Sequence, residues 1–353
     1  MLGISESRII EISKHRNIEI MYKEVLDYSL LAHNTFGIDA KCSRFLEYAS
    51  VEDAQEIAPH LENPYLLIGS GSNLLLTADF QGTVVHSALR GIERVSDTEV
   101  RCGSGEVWDD VVAWCIDNGL YGAENLSLIP GEVGASAVQN IGAYGAEVKD
   151  LIKSVEAVEI GTGKLCVFSR EECQYGYRDS RFKHEWKNRY LITHVTYQLT
   201  TDDNERRLDY GNIRAELERR GITQPTAKQL RQVVIDIREA KLPDPKVTGN
   251  AGSFFMNPVV ERSKYEQLLA QYPEMPHYYI DADHEKIPAG WMIDQCGWKG
   301  RSLGPAGVHD RQALVLVNRG GATGADIVAL CRQIQHDVRE KFGIDIHPEV
   351  NII

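Results

Sequence analysis

The feature that most constrains the fold is a glycine-rich loop that directly follows a short apolar run. The run Tyr65-Leu66-Leu67-Ile68 leads into Gly69-Ser70-Gly71-Ser72-Asn73, which predicts a buried strand that ends in a loop. Successive backbone N–H groups in such a turn can form a concave anion site, and glycines let a diphosphate approach the main chain. The spacing G-x-G-x-x-G is absent, so this is not a Rossmann fingerprint. Taken alone, the loop is more typical of an ordinary glycine-serine turn.

A second segment, from residue 129 to residue 145, is denser in small residues. Its glycines and alanines could surround a flat ligand through backbone contacts, with two amide side chains as hydrogen-bonding edges. A small-residue surface for helix packing is the alternative. The candidate ligand contacts are Pro130, Gly131, Gly134, Ala135, Gln139, Asn140, Gly142, Ala143, Tyr144 and Gly145.

A third segment presents a hydroxyl group. In Gly249-Asn250-Ala251-Gly252-Ser253-Phe254-Phe255-Met256-Asn257-Pro258, small residues precede Ser253 and a paired aromatic follows it. Glycine permits backbone angles and close approaches that other residues resist, so Ser253 can be presented to a ligand at little steric cost. A tight turn without a ligand is an equal alternative for this segment alone.

Length and charge limit the function classes. A chain of 353 residues is too long for one typical core and predicts two or three domains. The net charge is −13 and no basic stripe interleaved with aromatics is present, which argues against nucleic-acid binding. An anionic small molecule would need locally concentrated cations, for which Arg178, Arg238 and Lys241 are the candidates. Solvated surface cations are the ordinary alternative for each of them.

The cysteines and the apolar runs give further expectations. Seven scattered cysteines without C-x-x-C or zinc-type spacing support neither a disulfide framework nor a metal site. No apolar run approaches the ~18 residues that span a bilayer. Residues 1–8 lack the features of a signal peptide. We therefore expect a cytoplasmic protein without bound metal and without a membrane or nucleic-acid partner, and we expect a monomer.

Local patterns predict several elements. Ser50 and Asp53 have the spacing of a helix-capping box, and Gly119 is a plausible end of a helix that begins near Val107. Proline residues end a helix after Ala240. The further predicted elements are strands at 154–160, 165–168, 190–199, 313–317 and 350–353, and helices at 229–240, 263–271 and 323–342.

Read together, the three segments, Tyr177-Arg178-Asp179-Ser180 and Pro348-Glu349-Val350 resemble, in order and spacing, the bacterial UDP-N-acetylenolpyruvoylglucosamine reductases, the MurB family. The resemblance covers about residue 20 to residue 353. It implies an α+β fold: a two-lobed FAD-binding module (PCMH/vanillyl-alcohol-oxidase-like, not Rossmann) and a C-terminal α+β substrate-binding domain. The implied division is an N-terminal extension at 1–20, lobe 1 at 21–88, lobe 2 at 89–225 and the substrate domain at 226–353.

The resemblance also implies a reaction and its catalytic residues. FAD, reduced by NADPH, would supply a hydride to UDP-N-acetylglucosamine-enolpyruvate, and the product would be UDP-N-acetylmuramate. Developing enolate charge needs cationic or hydrogen-bonding groups, and the carbon needs a proton donor. Ser253 would protonate the enolate carbon, while Arg178 and Glu349 would polarise and stabilise the enolate.

Further residues match substrate contacts of the first structural type of the family. These are Tyr177, Tyr210, Arg238, Lys241, Asn257 and Gln295. Two positions depart from the family pattern. Glu132 stands where many relatives have a small hydroxyl residue, and we expect it to point away from the flavin diphosphate. Met256 stands where lysine is common. These departures keep open a non-catalytic FAD- or nucleotide-binding regulator. A flavin oxidase on the same scaffold is a further alternative.

Overall fold

The computed structural model describes residues 22–204 and 206–353. The predicted N-terminal extension, residues 1–20, lies outside this part of the chain. Within the described residues, no helix is long and apolar enough to cross a membrane.

Short strands alternate with helices along the chain, as the glycine-punctuated sequence predicts. The strands are β1 (Lys23–Ser29), β2 (Lys41–Tyr48), β3 (Tyr65–Ile68), β4 (Leu74–Leu75), β5 (Phe80–Ser87), β6 (Ile92–Arg94), β7 (Glu99–Gly103), β8 (Gly142–Ala143), β9 (Ala146–Glu147), β10 (Ile152–Glu159), β11 (Leu165–Ser169), β12 (Tyr190–Gln198), β13 (Asn250–Ser253), β14 (Val259–Glu261), β15 (Tyr278–Tyr279), β16 (His284–Lys286), β17 (Ser302–Leu303), β18 (Ala306–Val308), β19 (Val315–Asn318) and β20 (Asn351–Ile352). The α-helices are α1 (Val51–Ile57), α2 (Trp108–Asp117), α3 (Val133–Gln139), α4 (Ile213–Arg219), α5 (Ala227–Lys241), α6 (Arg262–Gln271), α7 (Ala289–Gln295) and α8 (Gly324–Phe342).

The first compact unit contains the described residues up to Tyr28, Cys42–Ser70 and Gln81–Ala240. Its first sheet has the order β1-β2-β5-β3, with β3 parallel to β5. Its second sheet has the order β11-β10-β12-β7-β6 and is antiparallel throughout. Helix α3 lies against β12 of this second sheet, so the sheet supports the small-residue segment.

The core of this unit is centred on an aromatic pair. The rings of Trp108 and Tyr197 meet edge to face, with centroids 5.4 Å apart. Both side chains are buried, and the indole N–H of Trp108 donates to the carbonyl oxygen of Leu126 at 2.8 Å. A buried indole that keeps its hydrogen bond avoids the desolvation cost of an unpaired donor. A separate cluster joins α4 to α5 through Ile213, Leu217, Leu230, Val233, Val234 and Ile237, with Tyr144 packed against it.

The second compact unit contains Ser29–Lys41, Gly71–Phe80 and Lys241–Ile353. Its main sheet has the order β13-β19-β18-β17, a smaller one has the order β14-β16-β15, and β20 pairs with β4. That last pairing is parallel. Beside it, the hydroxyl group of Thr77 donates to the carbonyl oxygen of Ile353, 276 residues later in the sequence. The predicted boundaries at 20/21, 88/89 and 225/226 stay predictions, since a compact unit can combine distant segments of sequence.

Most of the elements predicted from local patterns are present. Ser50 and Asp53 form the capping box of α1, and Gly119 has the positive φ of +70° expected after the end of α2. The predicted strand at 313–317 is displaced, because β19 begins only at Val315. The predicted strand Tyr65–Ile68 is present, but its residues are half-buried rather than buried. Three helices without a strong apolar period, α3, α4 and α7, were not predicted.

The capping box of α8 gives a stability prediction. Thr323 accepts a hydrogen bond from the N–H of Asp326 through its hydroxyl group, and Asp326 accepts one from the N–H of Thr323. Removing a capping hydroxyl costs about 1 kcal/mol. We therefore expect Thr323→Ala to lower the midpoint of urea unfolding, whereas Thr323→Ser should leave it near that of the wild type. Equal midpoints for the alanine and serine variants would show that the box contributes nothing.

Candidate active site

Ser253 is presented by a bulge at the end of β13. Asn250 pairs with Val317 and Ser253 pairs with Val315, so three steps along β13 match two steps along β19. This extra residue is the signature of a β-bulge, which re-aims the side chains that follow it. Gly252 has φ +69°, and its N–H donates to Oδ1 of the buried Asn250 at 2.9 Å. The Ser253 side chain is thereby left exposed.

The paired aromatic that follows the serine anchors this bulge. Phe254 and Phe255 are both buried, and their rings meet edge to face with centroids 5.2 Å apart. Phe254 also packs edge to face on Phe36 at 6.2 Å. The two phenylalanines bury their apolar surface directly beside an exposed hydroxyl group and so anchor the backbone next to Ser253.

Glu349 is brought to the same place by backbone pairing. The N–H of Glu349 donates to the carbonyl oxygen of Phe254 at 2.8 Å, and the N–H of Met256 donates to the carbonyl oxygen of His347 at 2.9 Å. Phe255 and Pro348 form the antiparallel bridge between them. Two predicted catalytic segments, almost 100 residues apart in sequence, are therefore hydrogen-bonded neighbours. The Met256 side chain is partly exposed at this pairing.

The second half of the glycine-serine loop belongs to this unit. Asn73 donates from Nδ2 to the carbonyl oxygen of Glu349 at 3.3 Å. Gly71 has φ +69°, and a Cβ atom there would lie 2.0 Å from the carbonyl oxygen of His33. No side chain fits in that space, so glycine is required at position 71 for steric as well as conformational reasons. Ser72, between these two residues, is half-buried.

The other predicted substrate contacts of this unit have different settings. Asn257 accepts a hydrogen bond through Oδ1 from the N–H of Ala289, at the start of α7, at 2.9 Å. Gln295 is exposed at the opposite end of α7, where its carbonyl oxygen accepts from the ammonium group of Lys341. Lys241 is exposed as the last residue of α5. Asn257 therefore lies at the start of α7, whereas Gln295 lies at the end of the same helix.

In the first unit, the small-residue segment divides into a helix and a loop. Residues 133–139 form α3, and its Gly134 packs closely on Ser104, since a Cβ atom at Gly134 would lie 3.0 Å from Cβ of Ser104. Residues 140–145 form a tight loop in which Asn140, Tyr144 and Gly145 have positive φ. Helix packing therefore explains the first half of the segment. Ligand contacts by the second half stay a prediction.

Arg178 lies directly against this loop. Its Nη2 donates to the carbonyl oxygen of Gly142 at 2.8 Å. The residue has φ +54°, a left-handed conformation that costs an arginine about 1–2 kcal/mol and that clusters at functional sites. Asn140 holds the two segments together, because its Nδ2 donates to the carbonyl oxygen of Gly176 at 2.6 Å. The guanidinium carbon of Arg178 lies 5.8 Å from the centre of the half-exposed Tyr177 ring.

A second cation faces the same region. Burial lowers the pKa of Arg238, Tyr144 and Asp109 oppose that effect, and the charge of Arg178 lowers it further. The buried Nε of Arg238 has no hydrogen-bond partner in the described part of the chain. Two guanidinium groups that repel each other, one with an unsatisfied buried donor, form a site that favours an anion. The Tyr210 ring covers Gly145 beside them, since a Cβ atom at Gly145 would lie 3.2 Å from Tyr210 Cβ.

Known proteins are similar to this chain over most of its length. Residues 244–353 match the family described as UDP-N-acetylenolpyruvoylglucosamine reductase, C-terminal domain, and residues 46–169 match an FAD binding domain. A UDP-N-acetylenolpyruvoylglucosamine reductase from Bacteroides fragilis is 58% identical over 333 residues, which are 92% of this chain and 99% of the relative. The enzyme of that name from Flavobacterium johnsoniae is 46% identical over 332 residues, 93% of this chain and 98% of the relative. This chain belongs to the UDP-N-acetylenolpyruvoylglucosamine reductase family.

A solved structure supports the fold of this reductase family member. The crystal structure of UDP-N-acetylenolpyruvylglucosamine reductase (MurB) from Thermus caldophilus superimposes with a TM-score of 0.66 at 22% identity, over 94% of this chain and 98% of that one. The α+β class with a non-Rossmann FAD-binding module is therefore confirmed, and FAD is the cofactor of the family.

The residues of the first unit fit a flavin. The Oε1 of Gln139, at the end of α3, is buried and has no hydrogen-bond partner among the described residues. A flavin ring carries an N–H group that could satisfy such an acceptor. Next to this helix, Gly142, Ala143 and Gly145 carry little or no side chain, which favours close approach of a flat ring to their backbone. Within the described residues, no group of three or more His, Cys, Asp or Glu side chains could hold a metal ion.

Glu132 is neither solvated nor distant from the glycine-serine loop of this reductase. Its side chain is buried, and its Oε1 lies 3.2 Å from Nε2 of His86. Its other oxygen, Oε2, would lie 3.0 Å from a Cβ atom at Gly69. Pairing with a histidine, rather than distance from the loop, is how the structure accommodates this carboxylate. No sequence pattern singled out His86, because it lies on β5, 46 residues from Glu132.

Two glycines with the same φ allow a matched test. Gly71 and Gly252 both have φ +69°, but an added Cβ clashes only at Gly71, while nothing lies within 4 Å at Gly252. We expect Gly252→Ala to lower the free energy of unfolding by about 1 kcal/mol, the cost of left-handed backbone alone. Gly71→Ala should add a steric cost on the order of 3 kcal/mol. Equal losses in chemical unfolding would contradict the steric requirement at position 71.

Proposed function

We propose that this chain catalyses the NADPH-dependent reduction of UDP-N-acetylglucosamine-enolpyruvate to UDP-N-acetylmuramate, a step of peptidoglycan precursor synthesis, with FAD as cofactor. The observation that carries the proposal is the hydrogen-bonded pairing of residues 254–256 with 347–349. It holds an exposed hydroxyl group and a carboxyl group on neighbouring segments of one unit, as a proton-delivering site needs. Family membership, at 58% identity to the Bacteroides fragilis relative, supports the same reaction.

The proposed flavin contacts are those indicated by the sequence. The candidates for the diphosphate are Gly69, Ser70, Gly71, Ser72 and Asn73, and those for the ring are Pro130, Gly131, Gly134, Ala135, Gln139, Asn140, Gly142, Ala143, Tyr144 and Gly145. Asn140 would act mainly on the shape of the site, since its side chain bonds to Gly176 and to the N–H of Lys149. When bound, FAD supplies the hydride that NADPH has delivered.

The catalytic roles follow from what each side chain can do. Arg178 would bind the substrate carboxylate through its guanidinium group. The left-handed backbone of Arg178 and the hydrogen bond to Gly142 fix the direction of this group. Arg178 and Glu349 would stabilise the enolate that forms in the substrate. Ser253 Oγ would donate its proton to the enolate carbon. A serine hydroxyl is a weak acid, so it needs a strongly basic carbon and a rigid position, which Phe254 and Phe255 support.

Substrate binding would use a further set of side chains. Arg238 has a buried Nε donor without a partner in the described part of the chain and lies near Arg178, so it suits an anionic group of the substrate. Tyr177 and Tyr210, both about half exposed, would contact the substrate from the first unit. Lys241, Asn257 and Gln295 complete the proposed set, with Lys241 near the substrate diphosphate.

Location and assembly are part of the proposal. All seven cysteines are unbridged, which suits a reducing compartment, so we propose that the protein works in the cytoplasm. We also propose that it is a monomer and that it belongs to the first structural type of the family. A flavin oxidase or a non-catalytic binder is not favoured by the family. Neither would use a proton donor such as Ser253, and a binder would retain flavin without oxidising NADPH.

The Ser253 role can be tested by separating the two halves of the reaction. In Ser253→Ala, loss of visible flavin absorbance on adding NADPH should proceed at about the wild-type rate, since no proton from Ser253 is used there. Return of the absorbance on adding the enolpyruvyl sugar should slow by roughly 10³-fold, the usual contribution of a positioned acid. Anaerobic stopped-flow absorbance measures both rates.

The matched control is Ser263→Ala, which removes an exposed hydroxyl group from α6 and should change neither rate. Slowing of the NADPH half in Ser253→Ala would contradict the assignment, as would an unchanged second half. Rapid return of absorbance with oxygen alone, in the wild type, would favour an oxidase instead.

A further inference from the structure

A chain of three ionisable side chains lies beneath the start of the glycine-serine loop. His86 on β5 has Nδ1 2.8 Å from Oε2 of Glu47 on β2. Its Nε2 lies 3.2 Å from Oε1 of Glu132, the residue that precedes α3. The other Glu132 oxygen reaches the backbone at Gly69, where a Cβ atom would lie 3.0 Å away. The buried His86 thus connects a carboxylate on the sheet with one at the loop.

The geometry identifies His86 as an imidazolium. A neutral imidazole has one N–H, whereas here each ring nitrogen faces a carboxylate oxygen, which accepts but does not donate when ionised. Burial alone would lower the pKa of His86, but the hydrogen bonds to Glu132 and Glu47 outweigh it and raise the pKa to about 9. The hydrogen bond from His86 in turn lowers the pKa of Glu47 to about 2.

The neighbouring groups do not replace this charge at Glu132. Lys23 on β1 pairs with the far oxygen of Glu47 at 3.4 Å. Phe45 on β2 stacks on the His86 ring at 6.3 Å. Tyr48, also on β2, stays neutral, because burial raises its pKa to about 12. Among the ion pairs of the described residues, the cation that pairs with Glu132 is His86.

We propose that His86 is a positioning residue for FAD: its imidazolium neutralises Glu132 beneath Gly69, so that the loop can accept a diphosphate. This inference rests on the proposed function, in which the loop that begins at Gly69 holds the FAD diphosphate. Without the proton on His86, Glu132 turns an uncompensated negative charge towards that loop. In a partly buried site, one additional negative charge close to the loop lowers the affinity for an anion by about tenfold. His86 touches neither substrate nor reacting atoms, and it acts through Glu132.

Release of FAD from the holoprotein tests the proposal. After dilution at pH 7, the increase in flavin fluorescence gives the dissociation constant. We expect His86→Gln to raise that constant about tenfold, and the double variant His86→Gln/Glu132→Gln to restore it to near the wild-type value. Glu132→Gln alone should bind FAD at least as tightly as the wild type. Restoration by a second substitution is the readout that a merely structural role of His86 would not produce.

A pH series provides a second measurement that needs no His86 variant. Wild-type FAD binding should weaken as pH rises through about 9, where His86 loses its proton, and Glu132→Gln should not show this weakening. The flavin's own titration is common to both proteins and cancels in the comparison. The matched control is His284→Gln, since His284 also faces two carboxylates, Asp281 and Glu261, but is only half-buried and lies in the second unit.

The outcomes separate this inference from the proposed function. If the wild type binds FAD and reduces the enolpyruvyl sugar, but the single and double variants release FAD equally, only the role of His86 is overturned. Identical pH profiles for the wild type and Glu132→Gln would overturn it as well. A wild type that binds no FAD would overturn both. A loss of FAD in His284→Gln as large as in His86→Gln would show that the effect is not specific to the loop.

Discussion

The candidate chemistry of the second unit depends on one short stretch of backbone pairing. The hydrogen bonds of Glu349 to Phe254 and of Met256 to His347 join the bulge of β13 to the end of the chain. Because Asn73 bonds to the carbonyl oxygen of Glu349, the glycine-serine loop is held by the same pairing. Main-chain hydrogen bonds thus position the segments that carry the hydroxyl group and the carboxyl group. The side chains of Asn73 and Asn250 hold the loop and the bulge beside them.

The first unit concentrates positive charge at one place, as an acidic protein needs in order to bind anions. A net charge of −13 repels a dinucleotide and a UDP-sugar at long range, so attraction has to be local. Arg178 is held against Gly142, and the buried Nε of Arg238 has no hydrogen-bond partner among the described residues. The charge of Arg178 and burial lower the pKa of Arg238, so an anion bound nearby would stabilise its charged form. The Glu47–His86–Glu132 chain has the opposite charge problem, because here a buried carboxylate lies at the proposed anion site. A protonated His86 offsets the charge of Glu132.

Elements with a strong local signal could be predicted from the sequence. Helices α5 and α8 and strands β10 and β12 have apolar residues at regular spacing, which depends only on neighbouring residues. Helix α3 could not be predicted in this way, because its glycines and alanines carry no amphipathic period and are buried by Ser104 and β12, which come from other parts of the chain. The displacement of β19 to Val315 has a similar origin, since strand ends are set by partners rather than by the strand itself.

The sequence by itself determined the family, the cofactor and the order of the motifs. These depend on residue types and their spacing, namely glycines in loops and a few side chains that can bind anions or transfer protons. It also contained Ser253, Arg178 and Glu349 as candidates, but not their surroundings. Only the tertiary structure decided that the Ser253 and Glu349 segments are hydrogen-bonded neighbours, that Arg178 bonds to Gly142, and that Glu132 is paired with His86. These contacts join residues between 36 and 95 positions apart. Nothing local encodes them, since they arise when separate sheets and loops pack into one unit.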